Sequence, residues 1–455
     1  MGRLRNWLRR RTWAELLLIS FANLILLGAI LLTLPISAGR GRTDFVDALF
    51  TATSAVCVTG LAVNDIGTAF NSLGQAVILA LIQLGGFGIV SFGTVMIFVF
   101  GRRASLMTRD ALQESFPDLF GASLRKIALK AFLVMFAIEM IGAVLLFHGF
   151  RHFYPVKERA WQALFHSISA FCNAGFSLNF DNLIGSADNV FVNLVVMTLI
   201  VLGGIGFIVL LEMGEALRGK RKWRGLTLHS KLVLMMSAIL IVAGAALIIG
   251  LENHNLFAGV SLKGKILRGL FQSVTARTCG YNTVEIGMMS EASLMVLIGL
   301  MFIGGAPGSC AGGVKVTSAG VLLGLALHLF RKGKYPSLFG RGIPREVIDR
   351  ALILVISVFL LISLITLILL GTEGGLVSHQ VAPGRFLEIV FEATSAFGTV
   401  GLSTGITPKL STAGKLLITA LMYIGRLGPL TLIYLLQNRG ERVSIVYPEE
   451  EVMIG

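Results

Sequence analysis

FVDALFTATSAVCVTGL, residues 45–61, is the stretch that decides the fold, because the chain repeats it three more times. The other copies are ALFHSISAFCNAGF (163–176), GLFQSVTARTCGY (269–281) and IVFEATSAFGTVGL (389–402). Each copy has an aromatic residue, then a run of small residues, then a glycine; the third is one residue shorter. The aromatics are Phe50, Phe165, Phe271 and Phe391, and the glycines are Gly60, Gly175, Gly280 and Gly401. The glycines lie 115, 105 and 121 residues apart, which indicates one structural unit used four times.

A second motif follows each copy at a nearly constant distance. It reads QLGGFGIV (83–90), VLGGIGFIV (201–209), FIGGAPGSC (302–310) and YIGRLGPLT (423–431). Its first glycine comes 25, 28, 24 and 24 residues after the loop glycine. Each unit is therefore predicted to be an apolar helix, a short helix ending in a glycine loop, and a second apolar helix. The units span residues 1–100, 101–212 with a preceding cytoplasmic segment, 213–330, and 331–455 with a C-terminal tail.

The composition predicts an all-α membrane protein. The chain has 455 residues, of which 55% are hydrophobic and 14% charged. Eight segments are long enough to cross a hydrocarbon core of ~30 Å. They lie at about 14–36, 71–100, 131–150, 189–211, 231–251, 292–330, 351–371 and 416–437. The sixth has five glycines, a proline and a serine within residues 304–313, which cannot continue a helix.

The net charge is +14, and the distribution of the basic residues indicates membrane topology rather than nucleic acid binding. Lysine and arginine cluster in residues 1–12, 101–130, 213–231 and 331–350, between the units. The positive-inside rule then places both termini and the loops between units in the cytoplasm. The short glycine-ended helices must therefore enter and leave the membrane from outside.

Short helices that dip into a membrane and end at a glycine are the parts of an ion-selectivity filter. Their C-terminal ends carry partial negative charge, and glycine permits the turn that aims carbonyl groups at a central axis. Four such loops around one pseudo-fourfold axis would replace the hydration shell of a monovalent cation. The predicted ion-binding residues are Val58, Thr59, Gly60, Asn173, Ala174, Gly175, Thr278, Cys279, Gly280, Thr399, Val400 and Gly401.

These motifs, in this order and spacing, resemble the KtrB-type ion-conducting subunit of the Ktr/Trk/HKT superfamily of potassium transporters. The resemblance covers nearly the whole chain. It implies K⁺ uptake across the bacterial inner membrane, with K⁺ held by backbone carbonyls only and no organic cofactor bound by the chain. It implies a homodimer, a KtrA-like cytoplasmic RCK ring that binds ATP or ADP, bound membrane lipids, and Na⁺ assistance in many members. In this superfamily a serine in the first loop goes with Na⁺ conduction, so the resemblance implies that Gly60 favours K⁺.

The same resemblance implies a mobile gate below the filter. Irregular backbone at membrane depth is tolerated where it is buried in protein or lines a water-filled cavity, which fits that role. An arginine beside the conduction path would add an electrostatic barrier to cations, although it could instead cap carbonyls of the broken helix. The predicted gate residues are Gly304, Gly305, Gly308, Ser309, Gly312, Gly313 and Arg426.

Three further expectations concern charged and thiol side chains inside the membrane. Arg277 cannot face the ions, and we expect it to support the filter from behind by pairing with Glu392 or Glu388. Glu139 is expected to be a hydrogen-bonded or protonated helix contact, with an ion site as the alternative. The cysteines lack the converging ligands of a Cu(I) or Zn²⁺ site, so they are expected to pack as small buried side chains.

Rival functions are a transporter resembling TrkH with a different regulator, an integral-membrane enzyme with a glycine-lined cavity, and a strictly coupled symporter. The enzyme would need polar catalytic groups at one membrane interface, and the sequence contains no P-loop and no HExxH motif. The symporter would be expected to have inverted repeats, whereas these four repeats share one orientation.

Overall fold

The computed structural model describes residues 13–39, 41, 43–87, 124–219, 225–330, 337–374, 377–378 and 380–428. These residues are mostly helical, with one short hairpin of strands β1 (Ser337–Leu338) and β2 (Arg341–Gly342). The helices are α1 (Trp13–Thr33), α2 (Phe45–Val56), α3 (Ile66–Ala69), α4 (Ser72–Gly86), α5 (Leu124–Gly149), α6 (Val156–Phe171), α7 (Val190–Gly204), α8 (Phe207–Leu217), α9 (Leu228–Glu252), α10 (Leu262–Thr275), α11 (Glu291–Phe302), α12 (Val316–Phe330), α13 (Arg345–Thr372), α14 (Arg385–Gly398) and α15 (Thr412–Leu427).

Several helices begin at side-chain caps that can be read from the sequence. The Asp44 carboxylate accepts from Val46 N at the start of α2, and the Asn71 amide oxygen accepts from Leu73 N and Gly74 N at the start of α4. Ser290 and Ser411 cap α11 and α15 in the same way. Each cap satisfies a backbone donor that has no partner inside its helix.

The four short helices predicted from the repeat are α2, α6, α10 and α14, and we call them the half-helices. Each packs against the long helix before it: α1, α5, α9 and α13 respectively. Each also packs against the helix that follows the glycine loop of the preceding unit, in the pairs α15–α2, α4–α6, α7–α10 and α11–α14. The pair α15–α2 joins the two ends of the chain, so the helix packing closes in cyclic order.

Among the described residues, three helices are long and apolar enough to cross a membrane by themselves: Ala131–His152, Leu228–Glu252 and Arg345–Thr372. Apolar stretches of 10 to 17 residues lie in α1, α2, α4, α11 and α12. The predicted span 71–100 is described only to residue 87, and the span 416–437 only to residue 428. The count of eight therefore stays a prediction, and most of the 101–130 segment and the C-terminal tail lie outside the described residues.

The predicted span 189–211 is not one straight helix, which corrects the expectation from hydropathy. The chain breaks between α7 and α8 and bends by 110°. Gly206 has φ +86 at the break, a conformation that glycine adopts without steric cost. The freed carbonyls of Gly203 and Gly204 accept from Cys310 N and Ala306 N, at 3.2 and 2.9 Å. Hydropathy could not reveal this break because the acceptors are satisfied by a segment about 100 residues later in the chain.

Candidate functional site

The loops at the ends of the half-helices share one backbone conformation. We call residues 58–60, 173–175, 278–280 and 399–401 the glycine loops. Each begins with a non-glycine residue at positive φ (Val58 +56, Asn173 +60, Thr278 +77, Thr399 +49) and ends with a glycine at positive φ (Gly60 +97, Gly175 +65, Gly280 +90, Gly401 +91). Left-handed conformation costs roughly 1–2 kcal/mol for a residue with a side chain, and three of these four are β-branched. Such strain persists where the surroundings impose it, and it clusters at functional sites.

Hydrogen bonds hold the middle residue of each loop in an equivalent position. The N–H groups of Thr59, Ala174, Cys279 and Val400 donate to the carbonyls of Ser54, Ser169, Thr275 and Ser395, at 2.7, 2.7, 2.9 and 2.8 Å. Those four acceptors lie four residues after Phe50, Phe165, Phe271 and Phe391, which are fully buried. The single-residue deletion in the third copy therefore falls between Thr275 and the loop, where the chain still reaches the same acceptor.

The four glycine loops contact one another in a closed ring. A methyl group placed on Gly60 would overlap Ala174 O of the second loop. In the same way Gly175 faces Cys279 O, Gly280 faces Val400 O, and Gly401 faces Thr59 O of the first loop. Each glycine thus lies against the carbonyl that precedes the next glycine, and a side chain at any of the four positions would push two loops apart. All twelve predicted filter residues lie in this ring.

The first glycine of the second motif packs against the end of a half-helix in three units. Methyl groups on Gly85, Gly203 and Gly425 would overlap the carbonyls of Val56, Phe171 and Phe397. Such close approach is typical of small residues at helix contacts in membrane proteins. The third unit differs, because Gly304 faces Gly312 O instead and α11 ends at Phe302.

The glycine-rich segment, residues 304–313, lies between α11 and α12 and is not helical. Gly304 N donates to Val314 O at 2.8 Å and Val316 N to Gly305 O at 3.0 Å, so its two ends are tied to each other. Its middle is tied to other units through Gly203 O, Gly204 O and the bond from Cys310 Sγ to Gly86 O at 3.2 Å. Gly85, Gly86, Gly203 and Gly204 are therefore more than close-packing contacts, because their carbonyls take part in anchoring this segment and Arg426.

Two cationic side chains bind adjacent carbonyls of the glycine-rich segment. Arg426 Nη1 donates to Cys310 O, and its Nη2 donates to Gly85 O. Lys315 Nζ donates to Ala311 O at 2.8 Å. Arg426 thus binds one carbonyl of the broken helix, in line with one of its two expected roles, and one carbonyl of α4. Lys315 was not among the predicted site residues, because a lysine after glycines carries no signal of which carbonyl it binds.

The expected pairing of Arg277 with Glu392 or Glu388 is wrong. Arg277 Nη1 donates to Ser237 O at 3.4 Å and forms no ion pair with a described carboxylate. Glu392 accepts from Ser403 Oγ at 2.8 Å and from Thr407 Oγ1. The two side chains face different elements, since Arg277 turns to α9 whereas Glu392 turns to the chain that leaves its own loop.

Glu139 is a buried, hydrogen-bonded helix contact, as its more conservative interpretation expected. Gln83 Nε2 donates to both carboxylate oxygens, at 3.2 and 3.0 Å, and Cys172 Sγ lies 3.6 Å from one of them. The four cysteines are unpaired and buried. Within the described residues, no three His, Cys, Asp or Glu side chains converge as a metal site would require.

Comparison with known proteins identifies the family and the overall fold. The family described as TrkH, cation transport protein, matches residues 20–440. Ktr system potassium uptake protein B of Bacillus subtilis (strain 168) is 38% identical, covering 99% of this chain and 98% of its own. Potassium/sodium uptake protein NtpJ of Enterococcus hirae is also 38% identical, covering 98% of both. The crystal structure of the potassium transporter TrkH from Vibrio parahaemolyticus has the same fold, with a TM-score of 0.74, 17% identity, and coverage of 94% and 86%. The chain therefore belongs to the TrkH family of cation transport proteins.

Proposed function

We propose that this protein carries K⁺ across the bacterial inner membrane through a carbonyl-lined filter formed by the four glycine loops. The observation that carries the proposal is the closed ring, in which four loops of equivalent backbone each bring a glycine against the next loop's carbonyl. Carbonyl oxygens around one axis can replace the hydration shell of K⁺. The potassium uptake proteins at 38% identity support K⁺ as the ion, and NtpJ supports Na⁺ as a second one.

The half-helices supply the electrostatics of this pathway. At most two residues separate the end of each half-helix from its glycine loop, so the partial negative charge of its C-terminus lies close to the proposed ion sites. Uptake then needs no chemical step, because the membrane potential contributes about 2.3 kcal/mol per charge per 100 mV. This is the mechanism of a channel-like transporter with both termini in the cytoplasm.

The glycine-rich segment is the proposed gate. It is bonded to carbonyls of the first and second units and to Arg426 of the fourth, so its movement requires several hydrogen bonds to break together. Arg426 and Lys315 also put positive charge at the segment, which opposes cation entry until they move. The proposed regulator is a cytoplasmic RCK ring that binds ATP or ADP, acting on a homodimer in a lipid bilayer, and Na⁺ assists transport. These partners rest on the family resemblance.

The test is uptake of radiolabelled Rb⁺ into K⁺-loaded liposomes containing the purified protein, beside Gly60→Ser. External K⁺ is expected to suppress the uptake at a much lower concentration than external Na⁺, and the mutant is expected to lose this distinction. If neither protein transports, a purified RCK ring with ATP is added. Absence of Rb⁺ uptake under that condition as well would contradict the proposal.

A further inference from the structure

The residue that follows each buried phenylalanine of the repeat has an equivalent position in all four half-helices. In three units this residue is polar, buried, and hydrogen-bonded to a hydroxyl just beyond the loop glycine. We call each such pair a brace. The three braces are His166–Ser177, Gln272–Thr283 and Glu392–Ser403, and they join each half-helix to the chain that leaves its glycine loop.

The braces occupy equivalent positions, but the half-helix side chain is an imidazole, an amide or a carboxylate. Gln272 Nε2 donates to Thr283 Oγ1 at 3.3 Å, and Ser403 Oγ donates to Glu392 at 2.8 Å. His166 Nδ1 lies 2.8 Å from Gln162 O, and a carbonyl only accepts, so this nitrogen carries the proton in the neutral ring. Nε2, at 3.0 Å, then accepts from the Ser177 hydroxyl. All three half-helix residues are at most 1% exposed, so water cannot reach their polar groups. The hydrogen bond of each brace therefore satisfies a buried polar group.

The chain that follows loop 278–280 also contacts the brace of the preceding unit. The Tyr281 ring stacks on His166 with centroids 5.8 Å apart, and its hydroxyl donates to Phe176 O at 2.8 Å. Ser177 and Tyr281, which follow two different glycine loops, thus both contact the buried His166. We call the chain that follows each loop glycine the exit strand, although it is not a β-strand. Displacing either of these two exit strands would disturb both loops.

The first unit lacks a brace, which makes it an internal control. Thr51 occupies the equivalent position, but its Oγ1 donates to Asp47 O of its own helix at 2.8 Å. The residues that correspond to Ser177 and Thr283 are Ala62 and Val63, which have no hydroxyl. Val63 is buried, so the exit from this loop is held by apolar packing.

We infer that the three braces are positioning elements that determine ion selectivity, a conclusion that rests on the proposed filter function. The half-helix fixes the start of each glycine loop, and in the first and fourth units a half-helix serine hydroxyl also accepts from the loop glycine N–H, at 3.0 and 3.1 Å. Beyond the glycine, the brace is an additional hydrogen bond from the half-helix to the exit strand. A brace holds that strand two or three residues beyond the glycine and so limits the distance of the carbonyls from the axis. A ring that can widen or shrink adapts to ions of other sizes, and discrimination between K⁺ and Na⁺ falls.

The experiment compares single hydroxyl removals at the three exit strands: Ser177→Ala, Thr283→Val and Ser403→Ala. The readout is the ratio of Na⁺ to K⁺ concentrations that halve Rb⁺ uptake into liposomes. Because it is a ratio, it does not change when only the amount of folded protein changes. The matched control is Thr51→Val, and Thr283→Ser retains the hydroxyl.

Each removal is expected to lower the ratio about three- to tenfold, while Thr51→Val and Thr283→Ser keep the wild-type ratio. A wild-type ratio in all three variants would overturn the inference and leave the proposed transport intact. An equal fall in Thr51→Val would also overturn it, because general destabilisation would then explain the effect. Absence of K⁺-suppressed uptake in the wild type would instead contradict the proposed function itself.

Discussion

At the scale of single residues, the loop glycines show why side-chain volume matters at this site. Gly280 has φ +90, and a methyl group there would lie 2.9 Å from Gly401 Cα and would overlap Val400 O. Left-handed backbone adds roughly 1–2 kcal/mol for a residue with a Cβ. The neighbouring atoms are backbone, so they cannot rotate away as a flexible side chain would.

Gly280→Ala is therefore expected to lower the preference for K⁺ over Na⁺ at least about tenfold, since 1.36 kcal/mol is one factor of ten. Competition of K⁺ and Na⁺ with Rb⁺ uptake measures it. The control is Gly299→Ala, a glycine within α11 that has open space around its Cα. There the preference should not change, and stability should rise by up to about 1 kcal/mol. Wild-type preference in Gly280→Ala would show that the ring tolerates a side chain.

The residue scale also shows the limit of prediction from sequence. A positive φ at Gly60, Gly175, Gly280 and Gly401 followed from the recurrence of glycine after a short helix, because only the backbone was involved. The hydrogen-bond partner of Arg277 could not be predicted from the sequence. A buried arginine has five donors and binds any acceptor within reach, and Ser237 O on α9 is such an acceptor.

At the scale of elements, the glycine-rich segment depends on bonds from other helices. Arg426 and Lys315 hold the adjacent carbonyls of Cys310 and Ala311. A hydrogen bond from a charged donor is worth roughly 1.5–3 kcal/mol. If these bonds break when the segment moves, each contributes that amount to the barrier against opening.

Arg426→Gln and Lys315→Met are each expected to raise Rb⁺ flux about tenfold or more in liposomes without an added regulator. The double variant should exceed either single one. Lys409→Met is the control, because it removes a positive charge from an exposed position outside this segment. Flux at the wild-type level in both single variants would mean that these cations maintain the local structure of the segment and do not limit ion passage.

The elements themselves were predictable to different degrees. The half-helices and the non-helical segment lie where the sequence placed them, because a run of small residues ending in glycine and a cluster of five glycines are local signals. The bend between α7 and α8 was not predictable. Its hydrophobic pattern is that of a continuous helix, and the bonds that compensate for the break come from residues 306 and 310.

At the scale of the whole molecule, closure of the ring depends on contacts between the two ends of the chain. Lys415 Nζ on α15 lies 2.6 Å from Asp47 Oδ1 on α2, and both side chains are less than one-fifth exposed. Removal of one partner from a partly buried pair leaves an uncompensated charge, which is costlier than loss of an exposed pair.

Lys415→Met is expected to destabilise the protein by about 1–2 kcal/mol and to lower the unfolding temperature in detergent by a few degrees. A double-mutant cycle with Asp47→Asn isolates the pair, since the second change should cost little once the first is made. The control is Glu388→Gln in the more exposed pair with Arg385, whose nitrogen–oxygen distance is 3.7 Å. An additive cycle would contradict a coupling between the chain ends.

What the sequence alone determined is the set of local features: four short helices that each lead into a glycine, four second motifs at regular distances, and one apolar stretch that cannot stay helical. Helix propensity, glycine conformation and hydropathy depend on neighbours along the chain, so they can be read without coordinates. Only the tertiary structure decided the specific contacts, both between units (the cyclic order of the loops and the carbonyls that Arg426 binds) and within units (the carbonyl that Lys315 binds and the three braces). Each of these joins a donor to one of many acceptors of equal chemistry, and packing alone selects which acceptor lies within 3 Å or so.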